Sequence, residues 1–409
     1  MLPKLTDSTL RSAMIGMVIL FLGISLYTAF KNTELVYEWA GIVDHLIETG
    51  EYKYMGNYSA FMPPLYPWYL AGVHWLTARF TTGTTWLGIA NFLQAVIFIS
   101  AVYFTFRSFF YGKLSPRLLV FFGAVIFFPP VLLSVTKVSS FALSLSLALF
   151  FLALAYRLVV LKKKKVLGPF ILVLTLAMYV RFEFGLYFLL LSCFLSFFSK
   201  QKHWNILIAA GLFGLIYAPW VLRNHVKMGM FTYSTSFQYN FSKGNNIRYD
   251  LFSTHNMPYD EQNDLRVEDE VVAGRFSSEK AKDDYLKKVN RYYLHHHPGH
   301  FFSQSVKKVG INFLQYFPDY HLFTKPLFAV LYSIFFTLLF LAVLAWSIRD
   351  IFFASKKHPN FLSVFTLVSF LFFLFFYSVA PLPRYALFFY PLFMVYILYM
   401  LNNKQQQFS

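Results

Sequence analysis

Apolar runs long enough to cross a bilayer, on the order of 20 residues each, recur roughly ten times along this chain. They fall at 12–30, 85–110, 118–135, 141–160, 166–180, 185–198, 205–222, 327–348, 361–380 and 386–401. A backbone in hydrocarbon has to satisfy its own hydrogen bonds, so the runs predict an all-α polytopic membrane protein, a helical bundle of about ten spans. With 57% hydrophobic and only 13% charged residues, the chain is too apolar for a water-soluble globule.

Orientation follows from the short loops, because Lys and Arg stay on the cytoplasmic side during insertion. Lys4 and Arg11, Lys113 and Arg117, Lys162 to Lys165, Lys200 and Lys202, and Arg349, Lys356 and Lys357 mark one face, where the only acids are Asp7 and Asp350. Both termini are therefore expected to be cytoplasmic, in a multi-pass protein of a bacterial inner membrane. The outer side receives an opening loop, 31–84, and a segment, 223–325, that forms a small extracytoplasmic subdomain. That segment divides an N-terminal membrane module, 1–222, from C-terminal helices over 326–409. The formal charge of +17 is then mostly topology and contact with anionic membrane lipids, with no sign of nucleic acid. No small-residue cleavage site follows the first run, which reads as a retained span. A lone Cys193 allows no internal disulfide, and no repeat is visible.

The opening loop is the densest in chemistry. Read as a helix, 33–50 sets Leu35, Trp39, Ile42 and Leu46 on one stripe and Glu34, Glu38, His45 and Glu48 on the other face, so it would lie on the membrane surface. Those residues alone favour an interfacial anchor with solvated carboxylates over a site. Three prolines in MPPLYPWY, 62–69, stiffen the end of the loop into a semi-buried lid and hold back the second helix until Pro67. Lys137 lies in the next outer turn, 134–140, Arg181 and Glu183 lie in YVRFEF, and Arg384 lies in PLPRYALFFYP. Ionisable groups between apolar segments need a cavity or a partner. Arg181 and Glu183 can be a structural pair or part of a site.

Pro219 is expected to break the seventh run, releasing Arg223 at the outer surface ahead of a stretch rich in Ser, Thr, Asn, Gly and aromatics that suits hydrogen bonding to a sugar. A surface helix is predicted over 278–295. His295, His296, His297 and His300 point in different directions on a helix, so they read as its end before Pro298 and not as a metal site. Asn57 and Asn240 begin glycosylation triplets of a kind frequent by chance.

Taken in order, an acid just after the first span, PPLYPW before the second, RFE in the middle, PWVLRN with a later GNN, and PRY before the last span resemble the integral-membrane family C (GT-C) glycosyltransferases. The branch is that of the dolichyl-phosphate-mannose protein mannosyltransferases and the lipid A aminoarabinose transferases. No single motif is specific, but their order spans Glu34 to Tyr385. The resemblance implies a polyprenyl-phosphate-linked sugar donor, a glycan, lipid or protein acceptor, and inverting transfer on the outer side. It implies an acid in the first outer loop as general base: Glu34, with Glu38 one turn on, since Thr33 stands where the family has Asp. It further implies donor and acceptor contacts at Tyr37, Tyr66, Asn245, Asn246 and Tyr385. Phe61 and Met62 replace the Glu-Lys of the aminoarabinose enzymes, so their specificity does not carry over, and the acid many relatives have near Lys137 is absent. The family admits a divalent metal, but no ligand set stands out here, and no cofactor is assigned.

The chemistry of the residues fits that class. Sugar transfer from a lipid phosphate needs a base for the acceptor hydroxyl and positive charge for the departing phosphate. Glu34 suits the first need, Arg223 and Arg384 the second through their guanidinium forks, with Arg181 and Lys137 as lesser members. A flippase or transporter of lipid-linked glycans is the rival class, and a glycan polymerase or ligase shares the architecture. Neither an inverted repeat nor paired interrupted helices speak for transport.

Overall fold

Each of the ten apolar runs overlaps helix in the computed structural model, which describes residues 6–35, 38–54, 56–110, 114–198, 204–245, 276–314, 326–353, 361–379 and 389–407. Helix α1 (Asp7–Lys31) leads to α2 (Glu38–Thr49), a two-stranded antiparallel hairpin of β1 (Lys53–Tyr54) and β2 (Asn57–Tyr58), and α3 (Leu65–Thr77). Next come α4 (Thr85–Phe109), α5 (Pro116–Ile126), α6 (Pro129–Val135), α7 (Ser140–Val159), α8 (Leu167–Val180), α9 (Phe182–Phe198) and α10 (Trp204–Met228). The segment expected on the outer side holds α11 (Ser236–Gly244), α12 (Glu279–His296) and α13 (Pro298–Leu314), followed by α14 (Pro326–Phe352), α15 (Phe361–Val379) and α16 (Phe389–Gln407).

Among the described residues, three helices are long and apolar enough to cross a membrane, α1, α4 and α7, and the bent pair α5–α6 makes a fourth. Helix α7 sits at the centre, packed on α4 and α8. Its Ala and Ser positions let neighbours approach, and Ser144 and Ser146 return their hydroxyls to the carbonyls one turn back, so neither hydroxyl faces apolar surroundings unpaired. Thr105 on α4 brings its hydroxyl 3.0 Å from Leu149 O on α7. Further along, Tyr187 on α9 bonds Ser369 on α15, and Tyr390 on α16 donates to Ala124 O on α5.

Several sequence expectations are corrected. The surface helix predicted over 33–50 starts at Glu38, and residues 32–35 are not helical. Glu34 therefore precedes α2 and shares no helix face with Glu38. The cause is the end of α1: Asn91 Nδ2 on α4 donates to Ala29 O and Asn32 O, holding the terminal carbonyls where the chain must turn. His45, expected on a solvated face, is half-buried. Helix α3 begins at Leu65, two residues before Pro67, because a proline in the first turn lacks only an N–H that would be unpaired there anyway. The run at 118–135 is not one helix. It bends by 57° before Pro129 and Pro130, since a residue preceding proline is pushed out of the helical region, as Phe128 is at ψ 113. Pro219 does not break α10, which runs on to Met228 and stops at Gly229 with φ +66. Ser278 caps α12, which ends at His296 as the histidine run suggested.

Helices α1 and α4 cross closely at Gly88, where a Cβ would lie 2.6 Å from the Phe30 ring. Gly88→Ala should therefore cost about 1–3 kcal/mol by overpacking. A lowered unfolding midpoint in detergent is the expected result, and an unchanged one would show that the crossing yields freely.

Candidate functional site

At the end of the bundle that carries the opening loop, one buried apolar cluster gathers Val43 from α2, Tyr66, Leu70 and Val73 from α3, Trp86, Leu87 and Ala90 from α4, Leu143 from α7 and Val180 from α8. Leu35 and Val138 pack against it. Three of the residues singled out by sequence are chain neighbours of this cluster: Glu34 precedes Leu35, Lys137 precedes Val138, and Arg181 follows Val180. Tyr66 is a member, fully buried, and approaches the Ser139 backbone.

Two amides missed in the sequence reading fix that arrangement. Asn91 and Gln94 stand three apart on α4, on one face, and both are fully buried. Asn91 holds the end of α1 through Asn32 O at 2.8 Å, and Gln94 Nε2 donates to Lys137 O at 2.5 Å and to Asn91 Oδ1 at 3.2 Å. Because both partners of Nε2 are acceptors, the amide orientation is fixed. Its other end, Gln94 Oε1, is buried with no hydrogen-bond partner among the described residues, an acceptor still owed a donor. The signal was present in the sequence as two amides inside an otherwise apolar run.

The named candidates separate into groups. Glu34 is exposed, just beyond α1. Lys137 is half-buried in the turn between α6 and α7. Arg181, the single residue between α8 and α9, is paired with Glu183 at 2.5 Å, with only 14% and 18% of the two side chains exposed. Asn245 is buried and its Oδ1 accepts from the Lys308 ammonium at 2.6 Å. Tyr37, Asn246, Arg384, Tyr385 and the side chain of Glu38 lie outside the described residues. Among the described residues no three His, Cys, Asp or Glu side chains come together as metal ligands would.

Arg223 belongs to a second arrangement. Its Nη2 donates to Tyr52 O at 2.6 Å and its Nη1 to Ser59 O at 2.7 Å and Asn224 Oδ1 at 2.8 Å, while the guanidinium stacks 4.8 Å from the Trp220 ring. Glu279 of α12 completes the strap, accepting from Ala60 N at 3.0 Å and Thr235 Oγ1 at 2.5 Å. Ser234 donates to Phe61 O, and Thr235 N to Ala60 O. The opening loop and the segment from α10 to α12 are thus sewn together through the backbone of Tyr52, Ser59, Ala60 and Phe61, and lie on the same side of the bundle.

Lys308 on α13 is fully buried, and burial pushes its ammonium down to about 7. An unfolded lysine holds its proton to about 10.4, so between these values the unfolded chain binds more protons and stability rises with pH. The unfolding midpoint should climb from about pH 7 to about pH 10, and Lys308→Met should flatten that climb and raise the midpoint at neutrality. An unaltered profile in the Met variant would mean that the lysine is neutralised in some other way.

Compared with protein-family models, curated proteins and solved structures, the chain matches none.

Proposed function

We propose that the chain is an integral-membrane glycosyltransferase of the GT-C type, with about ten spans, that moves a sugar from a polyprenyl phosphate to an acceptor at the outer face of a bacterial inner membrane. The observation that carries this is the pair Asn91 and Gln94, which ties the segment leading into Glu34 and the turn bearing Lys137 to one face of α4. An acid and a cation beside one buried cluster are the two charges that transfer from a lipid phosphate requires. In the proposed step the acceptor oxygen attacks the anomeric carbon and its proton passes to Glu34. The bond from that carbon to phosphate oxygen breaks, and the polyprenyl phosphate leaves with the electron pair. Lys137, with Arg384, faces that departing charge. Arg181 is already balanced by Glu183. Arg223 serves by holding the loop beyond Glu34, since its donors are engaged with backbone carbonyls.

One observation favours the transporter alternative: the broken pair α5–α6, whose second half leads to Lys137, is the kind of interrupted span transporters place at their substrate. Membranes of a deletion strain separate the two. Lipid-linked donor accumulating on the outer leaflet fits transfer, and accumulation on the inner leaflet fits transport.

Sidedness is tested with cysteines at Asn57 and Ser278, both exposed, in a Cys193-free variant. Both should react with an impermeant maleimide in intact cells, and protection of both would put this face in the cytoplasm. For the chemistry, Glu34→Gln should lower transfer of radiolabelled sugar about a hundred- to ten-thousand-fold with donor binding kept, and Glu38→Gln should cost much less. Near-parental turnover in Glu34→Gln, or a dead Glu38→Gln alone, would remove Glu34 as the base.

A further inference from the structure

At the opposite end of α4 and α7 the same two helices enclose a cavity of about 440 Å³ lined by Phe104, Arg107, Ser108, Arg157, Leu161 and Lys163. Asn91 and Ser108 are about 25 Å apart along α4, close to the hydrocarbon thickness of a bilayer, so this cavity lies at headgroup depth in the other leaflet. None of its lining residues is acidic. Arg157 is anchored, its Nε donating to the buried Ser108 Oγ at 2.8 Å and its guanidinium lying 4.3 Å from the Phe104 ring, which leaves its two terminal nitrogens to the cavity. Arg107 and Lys163 are exposed at the rim. The chain after α7 folds back over this end, with Lys163 N bonded to Arg157 O.

Basic residues at helix C-termini are ordinary, since each end carries roughly half a negative charge. Two helix ends supply roughly one unit, whereas three cations converge here, leaving a surplus of about two. That surplus matches a phosphate group, and the walls from Phe104 and Leu161 match the apolar part of an amphiphile. Tyr103 and Val160, chain neighbours of the lining residues Phe104 and Leu161, are large, apolar-bodied and 42% and 40% exposed.

We propose that this cavity binds the phosphate headgroup of an acidic phospholipid, independently of the chemistry at the other end of the bundle. The guanidinium of Arg157, preset by Ser108 and Phe104, takes the phosphate oxygens in a fork, and Arg107 and Lys163 close over it.

The test uses the purified full chain in neutral detergent, titrated separately with phosphatidylglycerol, phosphatidylcholine and inorganic phosphate, and read by thermal shift and by native mass spectrometry. Phosphatidylglycerol should bind saturably and raise the unfolding midpoint, with phosphatidylcholine inert and inorganic phosphate competing only weakly. Arg107→Gln and Lys163→Gln, both exposed and not expected to disturb folding, should each weaken that binding about fivefold, and the double variant by about the product. Arg157→Gln should weaken it most, and the rim variants keep the test decisive if that protein folds poorly. Phosphatidylglycerol binding unchanged in the double variant would overturn the site. Saturation by inorganic phosphate with no gain from the lipid would assign the cavity to a free anion and overturn the lipid.

Discussion

The end of the bundle that carries the opening loop depends on two side-chain amides that have been taken out of water. Leaving a buried amide group unpaired costs about 1–3 kcal/mol, so Asn91 and Gln94 can sit on α4 only if other elements bring them acceptors. The acceptors they receive are main-chain carbonyls that regular structure leaves over: Ala29 O and Asn32 O where α1 ends, and Lys137 O in the turn between α6 and α7. One helix face thereby sets the exit of the first span and the turn that carries a lysine. The geometry of the candidate site follows from where spare carbonyls occur, with the ionisable groups riding on segments that the amides fix.

A similar economy governs the loops. Arg223 could in principle offer its fork to a phosphate, but the fork is already engaged with Tyr52 O and Ser59 O. Each hydrogen bond to a charged group is worth about 1.5–3 kcal/mol, so freeing both carbonyls would cost about 3–6 kcal/mol and would release the opening loop. That cost favours a positioning role. Glu279 does the complementary work from α12, accepting from the Ala60 amide, so the loop backbone is held by a cation at its carbonyls and by an anion at an N–H. Opposite charges suit the opposite polarities of the peptide group, and together they fix the loop with few side-chain contacts.

How much of this was legible in the sequence depends on the range of each interaction. Hydropathy was the surest guide to helix, and three of the apolar runs lie on helices long and apolar enough to cross a membrane among the described residues, because such a stretch is defined by its own composition whatever its neighbours do. Proline was a weaker guide: Pro129 and Pro130 bend their run by 57°, yet Pro219 is accommodated inside α10. A tandem pair pushes Phe128 out of the helical region, whereas a single proline near a helix end removes one hydrogen bond and can be tolerated. The amphipathic stripe of the opening loop was read correctly at Ile42 and Leu46, both fully buried, but extended too far back, since nothing local shows that Asn91 grips the end of α1. The hydrogen bonds of Arg223 are hidden from the sequence for the same reason. Its partners are backbone carbonyls more than a hundred residues away, and a carbonyl has no sequence signature.

The two ends of the bundle handle positive charge differently, and the contrast bears on what each can do. Around the opening loop Arg181 faces Glu183, Lys53 faces Glu51, and Arg223 and Lys308 face carbonyl oxygens of the backbone or of Asn245. Charges committed in this way preorganise a scaffold, because dipoles fixed before substrate arrives need no reorganisation when charge develops. At the far end Arg107, Arg157 and Lys163 share a cavity with no acid in its lining. Their mutual repulsion is a standing cost that an anion would relieve, so affinity there can come from charge already gathered in place. The committed cations of the first end hold geometry, and the three gathered around this cavity are placed to attract a counter-charge.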